Sequence, residues 1–558
     1  MTDKIGNIKI DYSFYSGEDM YSDGQVEDDL LEIVRKGNIS QALKYETSWP
    51  VLYHLSDIRE NLLEWYPFRK NSKILEIGAG CGALTGLLSR KAEYVTCIEL
   101  SKRRTLINAY RNADCGNVTI YVGNFKDIEP NLTEEFDYIT LIGVLEYSSM
   151  YLDGLNPYLN MLETAKKHLK DDGKIIVAIE NKMGLKYWNG ASEDHTGHIG
   201  SGLNDYSNGE SVRTFSKPEM ASLLKRAGIA SYKMYYPVPD YKLPESIYSE
   251  NFQPKAGNIR NYGKDYDKPR LYHFNEAAIS DQLCEDQLFS YFSNSFLLIT
   301  GEEDEGCLFE KYGKCRKKKF QIRTEIYKKD GQQFVRKLPL CQEAREHVLN
   351  IKENERKWSG ELQNIQSVKG WMENDSYVTP FISGQDLDNV FYEYRHNPQI
   401  FIEKFKCYIK NFFIPEEGKL TSFEISPEFI RIFGEDYPEG KQSLKCTNID
   451  LIFSNLKLSE NGQLYALDYE WCFDFPIPYE YVIWRSAWNL HEEYRAYLRS
   501  RLCKEDFLAA IGISSKTSDI YMKMEKNFGK YIFGQLDDGN YLSRYRKNMV
   551  MQDIRFVQ

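Results

Sequence analysis

The feature that most constrains this chain is a glycine-rich turn between a short apolar strand and a helix. The segment reads ILEIGAGCGALT at residues 74–85. Gly78, Gly80 and Gly82 let the backbone approach a flat ligand closely, because glycine has no Cβ and adopts positive φ freely. The next apolar run ends near Glu99. An acidic residue at this distance beyond a glycine turn accepts hydrogen bonds from ribose hydroxyls, so a nucleoside site is predicted.

The glycines alone do not identify the nucleoside, because Gly78, Gly80 and Ala83 also satisfy the spacing of dinucleotide-binding turns. Glu76 discriminates between the candidates. At the mouth of the site its carboxylate would repel a pyrophosphate and attract a ligand that carries an ammonium and a sulfonium. S-adenosylmethionine (SAM) carries both groups. The pattern E-x-G-x-G-x-G resembles motif I of the class I SAM-dependent methyltransferases.

Later features follow in the order that this family has. Asn124 and Phe125 come directly after an apolar run at 118–122, where the resemblance implies an amide and an aromatic ring against the adenine. Further strands are predicted at 136–142, 174–180, 232–236 and 295–300. The prediction is an α/β Rossmann-like class I methyltransferase sheet. Its expected SAM-binding residues are Glu76, Gly78, Gly80, Gly82, Glu99, Asn124 and Phe125.

Length and composition limit the class of protein. At 558 residues the chain exceeds what one hydrophobic core usually holds, so two or three domains are expected. A net charge of −11 argues against a nucleic-acid partner. No run approaches the ~20 apolar residues of a transmembrane helix, and the first residues do not have the pattern of a signal peptide. Eleven cysteines without a C-x-x-C pair favour reduced thiols in a cytoplasm.

A second set of polar residues lies in the C-terminal half. Asp450 and Asn455 are five residues apart, and Asp468 follows Asn455 by thirteen residues, beyond a predicted hairpin. Lys337 ends a short strand-like run well before them. This spacing resembles the catalytic loop and metal-binding aspartate of protein kinases and aminoglycoside-type phosphotransferases. An α+β kinase-like domain is therefore expected after the methyltransferase sheet.

The resemblance implies a role for each of these residues. Asp450 would be the base, Asn455 and Asp468 would hold Mg²⁺, and Lys337 would grip the phosphates of ATP. The acidic partner of the lysine is left open between Glu343 and Glu346.

Two departures from the kinase pattern keep a catalytically inactive kinase fold as an alternative. Asn448 stands where those enzymes have histidine, and no G-x-G-x-x-G loop precedes the lysine.

The two halves together predict four regions. They are an N-terminal helical cap at 1–66, a methyltransferase domain at 67–303 with an insertion at 251–287, a kinase-like domain at 304–500 and a helical C-terminal tail at 501–558. The insertion is polar and aromatic. Because long loops in compact domains are usually functional, we expect it to cover the active site as a lid.

Two halves in this order resemble a bacterial group of fused methyltransferase–kinases that phosphorylate and then methylate the end of O-antigen and related surface polysaccharides. The resemblance implies SAM, ATP and Mg²⁺ as cofactors. It also implies a glycan or phosphoglycan acceptor, glycan-assembly proteins as partners, and a cytoplasmic location at the inner face of the membrane. Two alternatives are a sugar O-methyltransferase with a pseudokinase half that binds glycan or nucleotide, and a scaffold of a glycan-assembly complex.

The acceptor side of the methyltransferase site is less defined by the sequence. The segment EDHTGH at 193–198 follows the fifth predicted strand, on the side of the sheet where substrates bind. A sugar hydroxyl acceptor needs a general base, and His195 or Glu146 is the candidate. Metal binding by His195 and His198 is disfavoured, because the spacing suggests no third ligand.

Overall fold

The computed structural model describes residues 2–19, 24–259, 270–301, 306–498, 500–534 and 554–555. Strands and helices alternate through the first half. Its elements are β1 Thr2–Ile5, β2 Ile8–Phe14, α1 Gln25–Arg35, α2 Ile39–Tyr45, α3 Trp49–Leu55, β3 Lys73–Ile77, α4 Thr85–Lys91, β4 Tyr94–Glu99, α5 Lys102–Arg111, β5 Val118–Gly123, α6 Phe125–Ile128, β6 Phe136–Ile142, α7 Ser148–Tyr151, α8 Pro157–Lys167, β7 Leu169–Glu180, α9 Leu185–Trp188, α10 Lys217–Arg226, β8 Tyr232–Val238, β9 Ser246–Ser249, β10 Leu271–Tyr272, α11 Glu276–Glu285, α12 Phe289–Phe292 and β11 Ser295–Thr300.

The second half has shorter strands and longer helices. Its elements are β12 Gly306–Tyr312, β13 Ile322–Lys329, β14 Gln332–Pro339, α13 Arg345–Trp358, β15 Ile365–Ser367, β16 Trp371–Glu373, β17 Ser376–Pro380, β18 Gln385–Asp386, α14 Leu387–Val390, α15 Pro398–Phe412, β19 Thr421–Ser422, α16 Pro427–Phe433, β20 Gln442–Leu444, β21 Thr447–Asn448, β22 Leu456–Leu458, β23 Leu464–Ala466, β24 Cys472–Phe473, β25 Ile477–Pro478, α17 Tyr479–Glu493, α18 Arg495–Leu498, α19 Lys504–Ala510, α20 Ser515–Phe533 and β26 Ile554–Arg555.

The first half is built on a doubly wound sheet. Its strands lie in the order β5-β4-β3-β6-β7-β11-β8. The first five are parallel, and β11 runs antiparallel to both β7 and β8. The strands predicted at 232–236 and 295–300 correspond to β8 and β11, which pair with each other. The Rossmann-like class I methyltransferase fold is confirmed for this half.

The central strands are buried on both faces, which explains their near-continuous apolar sequences. Successive side chains of a strand point to opposite faces. Accordingly Ile74 packs into the core on one face of the sheet, and Leu75 packs into the core on the other face. Because the strands are parallel, the segments after β3, β4, β5, β6 and β7 all meet at one edge of the sheet.

The predicted N-terminal helical cap at 1–66 is wrong for its first residues. β1 and β2 form an antiparallel hairpin, and β2 pairs in parallel with β5 through Ile10 and Ile120. Ile8 and Ile10 are fully buried, as the alternating pattern IKIDYSF dictates for a half-buried strand. The helices α1, α2 and α3 then follow, and side chains of all three share one apolar cluster with Cys81 and Ile107.

Hydrogen bonding of the sheet continues past the predicted domain boundary at 303. β9 pairs with β8 on one side and with β12 on the other. The sheet then runs on through β13, β14, β17 and β16, so that fifteen strands of the described residues form one hydrogen-bonded sheet. The two halves are therefore joined by backbone pairing as well as by the chain between β11 and β12, of which residues 302–305 lie outside the described residues.

The second half has a single large core that reaches into the predicted C-terminal tail. Its buried residues extend from Phe320 to Ile532, across the expected boundary at 500. Phe528 of α20 stacks on Phe433 of α16 with ring centroids 5.7 Å apart. Trp471 meets the same Phe528 ring edge-on at 5.3 Å. In the described part of the predicted tail, α19 and α20 complete this core, and residues 535–553 and 556–558 lie outside the described residues.

Removing a large side chain from α20 tests this arrangement. Phe528→Ala should lower the free energy of unfolding of the second half by about 3–5 kcal/mol, since a buried aromatic ring is replaced by a cavity. Urea unfolding followed by tryptophan fluorescence measures the loss. Lys526→Ala, at an exposed position of the same helix, should change the free energy by less than about 0.5 kcal/mol. Equal effects of the two substitutions would contradict the packing of α20.

Candidate active site

A cavity of about 470 Å³ opens at the carboxyl edge of the parallel strands. The turn after β3, the end of β4 and the segments after β5, β6 and β7 all contribute to its wall. Most of the residues predicted for SAM and for the acceptor lie on this wall. They are Gly78, Gly80, Glu99, Asn124, Phe125, Glu146 and His195.

The glycine turn and Glu99 are held together by hydrogen bonds. The backbone N–H of Gly80 donates to Oε2 of Glu99 at 2.7 Å, and the N–H of Ser101 donates to Oε1 at 2.9 Å. Burial raises the pKa of Glu99, although the nearby Arg104 acts against this rise. The carboxylate is thus fixed at the end of β4 with its position set by two backbone groups.

Glycine is needed at different positions of the turn for different structural reasons. Gly78 and Gly80 have φ of +70° and +54°, in the left-handed region. A Cβ on Gly78 would lie 2.5 Å from Cγ2 of Val144, whereas a Cβ on Gly80 would meet nothing nearer than 4.0 Å. Gly80 therefore has open space beside a fixed carboxylate at Glu99. A ribose and its base fit such a cradle, so the residues present are suitable for SAM.

Two of the predicted SAM-binding residues have other partners. Glu76 does not lie at the mouth of the cavity, and that prediction is wrong. It points to the same face of β3 as Ile74, where it accepts a hydrogen bond from Oγ1 of Thr85 at 2.7 Å. Burial raises its pKa to about 7. Gly82 allows close packing of α5, because a Cβ there would lie 2.2 Å from Oδ1 of Asn108.

The roof of the cavity comes from the N-terminal helices. Trp49, Tyr53 and Arg59 line it. The Trp49 and Tyr53 rings stack 5.2 Å apart, and the guanidinium of Arg59 lies 4.3 Å from the centre of the Tyr53 ring. The sequence placed a cap in this region without assigning these side chains. Their aromatic spacing of four residues on one helix face was the available signal.

The predicted lid at 251–287 does not line the cavity through its described residues, 251–259 and 270–287. The remaining residues of the insertion, 260–269, lie outside the described part of the chain. Arg270 instead binds the body of the domain by donating to the carbonyl of Lys186 at 3.1 Å, and within the insertion it pairs with Glu276 at 2.8 Å. This anchoring explains why the segment after residue 269 packs away from the site.

His195 lies among three glutamates on the acceptor side of the cavity. Its Nδ1 is 2.9 Å from Oε1 of Glu193. Its Nε2 faces Oε1 of Glu146 at 3.5 Å and Oε2 of Glu180 at 3.9 Å. Burial alone would lower the pKa of His195, but the three carboxylates raise it well above its usual value. The sequence predicted His195 and Glu146 for this site, and the structure brings them together.

Two lysines balance part of the negative charge. Lys242 pairs with Glu180 at 2.8 Å and also contacts Asp194. Lys186 pairs with Asp194 at 2.9 Å. Because Glu180 and Lys186 are buried and the side chains of Lys242 and Asp194 are mostly so, these pairs fix the loop that carries His195. Neither lysine was identified from the sequence, and Lys242 lies 48 residues from Asp194 along the chain.

The second predicted constellation also assembles. Lys337 on β14 contacts the carboxylate of Asp468 directly and lies 3.8 Å from Glu470. Its acidic partner is therefore neither Glu343 nor Glu346. The hairpin of β22 and β23 that precedes Asp468 is confirmed, with Leu458 paired to Leu464.

Glu470 is the centre of this charged cluster, and sequence reasoning missed it. Besides Lys337 it contacts Arg316, and its Oε1 lies 2.8 Å from Nε2 of His347 on α13. Although burial would raise its pKa, Arg316 and the other cations lower the pKa of Glu470 to about 2. The available signal was a second carboxylate two residues after Asp468, and the backbone N–H of Glu470 donates to Oδ1 of Asp468 at 3.0 Å.

Asp450 and Asn455 lie beside Asp468. The amide of Asn448 donates to the carbonyl of Asp468 at 2.8 Å, and the amide of Asn455 donates to the carbonyl of Asp450 at 3.1 Å. Arg485 of α17 pairs with Asp450 at 3.0 Å. Burial raises the pKa of Asp450 to about 6, although Arg485 acts against this rise. All four residues predicted for phosphoryl transfer thus belong to one locality.

Comparison with known proteins supports the assignment of the first half. Residues 75–175 match the family model described as a methyltransferase domain, from the strand before the glycine turn to the middle of β7. This match confirms the predicted methyltransferase domain and the enzyme class. It lies wholly outside the second half, so Lys337, Asp450 and their neighbours are interpreted from their geometry.

Two curated relatives are ribosomal RNA small subunit methyltransferases A. The protein of Borreliella afzelii is 28% identical over 138 residues, which are 24% of this chain and 48% of that protein. The protein of Borrelia garinii subsp. bavariensis is 29% identical over 92 residues, 16% of this chain and 33% of that protein. The chain therefore spans about half the length of the first relative and a third of the second.

Solved methyltransferase structures are similar at low identity. Phosphoethanolamine N-methyltransferase 1 of Haemonchus contortus is 15% identical, with 51% of each chain covered and a TM-score of 0.28. A SAM-dependent methyltransferase of Archaeoglobus fulgidus is 13% identical, with 45% of this chain and 96% of that chain covered and a TM-score of 0.28. None of the helices in the described ranges is long and apolar enough to cross a membrane.

The position of Glu99 gives a test of the cofactor site. Glu99→Ala should weaken binding of S-adenosylhomocysteine by ~1.5–3 kcal/mol, because charge-assisted hydrogen bonds to the ribose would be lost. Titration calorimetry measures this as an affinity loss of about 10- to 150-fold. Glu93→Ala, an exposed position just before the same strand, serves as the matched control and should bind normally. Unchanged affinity in Glu99→Ala, or a preference for NAD, would rule out this site.

Proposed function

We propose that the chain is a SAM-dependent O-methyltransferase fused to a kinase-like half, and that it acts on the end of a bacterial surface polysaccharide. The observation that carries the proposal is the single cavity that joins Glu99 and Gly80 to the buried His195 cluster. A nucleoside-binding cradle and a set of proton-accepting groups on one wall are what methyl transfer to an oxygen requires.

The cofactor would supply a methyl group activated by its sulfonium. The chain would hold the nucleoside through Glu99, the glycine turn, Asn124 and Phe125. Trp49 and Tyr53, in the roof of the cavity, would exclude water from the bound cofactor. His195, with its raised pKa, would orient the acceptor oxygen, and for a hydroxyl acceptor the neighbouring Glu146 would accept the proton. A phosphate acceptor is already anionic and would need only orientation.

The kinase-like half supports a phosphoryl-transfer role through one arrangement. Lys337, Asp468, Asn455 and Asp450 converge although up to 131 positions separate them in the sequence. Phosphoryl transfer depends mainly on positioning and charge neutralisation, which a lysine, two metal-binding side chains and an aspartate base supply together. The lysine would hold ATP phosphates, Asn455 and Asp468 would hold Mg²⁺, and Asp450 would receive the proton of the acceptor hydroxyl.

The alternative is a methyltransferase whose second half binds glycan or nucleotide without transferring phosphate. Asn448 favours it, because the kinase pattern has histidine there. The contact between Lys337 and Asp468 also favours it, since both groups would have to separate to bind phosphates and a metal ion. The intact set of Asp450, Asn455 and Asp468 favours the active form, and the following experiment separates the two.

If the kinase-like half makes the phosphate that is then methylated, the two reactions must be ordered. Labelled methyl from SAM should enter a glycan acceptor only when ATP and Mg²⁺ are present. Asp450→Asn should abolish this labelling, because the acceptor would stay unphosphorylated, and a chemically phosphorylated acceptor should restore it. Asp474→Asn, a more exposed position in the same region, is the control. Methylation of an unphosphorylated acceptor without ATP would refute the coupling and leave the methyltransferase assignment intact.

The pH dependence of phosphoryl transfer gives an independent test of Asp450. As a base it must be ionised, so the rate should rise as the pH passes about 6 and then level off. Arg485 lowers the pKa of this carboxyl. Arg485→Gln should therefore move the midpoint of the pH–rate profile to higher pH. A midpoint that stays in place, with ATP hydrolysis or transfer still measurable, would remove Asp450 from the role of base.

A further inference from the structure

We propose that Glu146, Glu180 and His195 form a binding site for one divalent transition-metal cation, of the Mn²⁺ type, in the wall of the methyltransferase cavity. One ligand atom from each of the three side chains lies within 4.8 Å of the others. All three residues line the cavity. They come from separate segments: the turn after β6, the end of β7 and the loop beyond it.

The tautomer of His195 is set for coordination through Nε2. The backbone N–H groups of His195 and Thr196 donate to Oε2 of Glu193 at 2.9 and 2.7 Å, which fixes this carboxylate as an acceptor. Its other oxygen, Oε1, lies 2.9 Å from Nδ1 of His195. Nδ1 is therefore the donor in this pair, and Nε2 faces Glu146 and Glu180, where a bound cation would replace the Nε2 proton. A carboxylate behind the histidine is the usual support of a metal-binding imidazole.

Glu146 provides a second, independent observation that supports a cation site. Its side chain is fully buried, and neither carboxylate oxygen has a hydrogen-bond partner within the described part of the chain. The ring of His195 faces it at 3.5 Å. A buried carboxylate without hydrogen bonds is costly. The charge of Glu180 is partly balanced by Lys242, which lies 2.8 Å from its Oε1. The other oxygen, Oε2, faces Nε2 of His195.

The separations suit a metal ion with only small adjustments. Bonds of about 2.0–2.2 Å from metal to nitrogen or oxygen place neighbouring ligands roughly 3.0–3.6 Å apart. Nε2 of His195 lies 3.5 Å from Glu146 and 3.9 Å from Glu180. A set of one imidazole and two carboxylates favours Mn²⁺, Fe²⁺ or Zn²⁺ over Ca²⁺ or Mg²⁺, which prefer oxygen ligands. The fourth side of the cluster opens to the cavity, where an acceptor oxygen would complete the coordination.

A bound cation would help to bind an anionic acceptor. This role of the metal site rests on the proposed function. A phosphate placed against Glu146 and Glu180 would be repelled at short range by two buried carboxylates. A bound divalent cation would reverse the sign of this interaction and orient the phosphate or hydroxyl oxygen. The same cation would make His195 a ligand and not a base.

Manganese binding to the full chain tests the site. The background variant Asp468→Asn removes the metal site proposed for the kinase-like half. In this background, electron paramagnetic resonance should report one bound Mn²⁺ per chain, and electron spin echo spectra should show coupling to an imidazole nitrogen. Glu146→Gln and His195→Gln should each weaken binding at least about tenfold, and His195→Gln should abolish the nitrogen coupling. Glu163→Gln, exposed on α8, should change neither signal.

Calorimetry with S-adenosylhomocysteine on the same variants separates the two proposals. Normal cofactor binding together with no saturable Mn²⁺ binding would overturn the metal site and leave the methyltransferase function standing. Normal Mn²⁺ binding without cofactor binding would overturn the methyltransferase function and leave the metal site standing. Folding of each variant is checked by circular dichroism. If Glu146→Gln fails to fold, His195→Gln alone decides, and retention of the nitrogen coupling in that variant would refute the proposal.

Discussion

The methyltransferase half depends on one constraint, that parallel strands all end at the same edge of their sheet. Glu99, Asn124, Glu146 and Glu180 are far apart in sequence, yet each follows or ends a different parallel strand. The edge therefore collects them into one cavity. The glycine turn after β3 makes this edge usable, because Gly78 must avoid Val144 and Gly80 must leave room beside Glu99.

The second half is tied to the first by backbone pairing and to its own C-terminal helices by charge. β9 and β12 carry the sheet from one half into the other. Arg485 binds both Asp450 and Glu525 of α20, the latter at 2.8 Å. The position of the proposed base is thus linked to a helix that closes the core from the end of the chain. A substitution that displaces α20 would therefore also change the position of Arg485 and its ion pair with Asp450.

Much of the fold could be predicted from local sequence patterns. The elements and residues that were predicted wrongly have identifiable physical causes. The strand ending in Glu99 and the hairpin before Asp468 were predictable because their apolar runs and turn residues are local. The N-terminal hairpin was missed because its strands, although alternating, are short and precede a helical region. Glu76 was misplaced because its position relative to the glycines suggested the mouth of the site, while the alternation of side chains on β3 turns it inward.

Partners distant in sequence could not be derived in the same way. The support of His195 by Glu193 was within reach, since the two are adjacent on one loop. Its contact with Glu146 and Glu180 required the order of the strands in the sheet. Likewise, Glu470 became the centre of a charged cluster only through Arg316 and His347, which lie on other elements. Long-range pairing of this kind is set by tertiary packing.

The central claim is that the cavity at the strand edge holds the cofactor between Glu99 and the His195 cluster. A crystal structure of the full chain with S-adenosylhomocysteine tests it most directly. The account predicts both ribose hydroxyls at the carboxylate of Glu99, the backbone of Gly80 against the nucleoside, and the sulfur directed toward His195. Cofactor bound elsewhere, or in this cavity with its ribose away from Glu99, would contradict it.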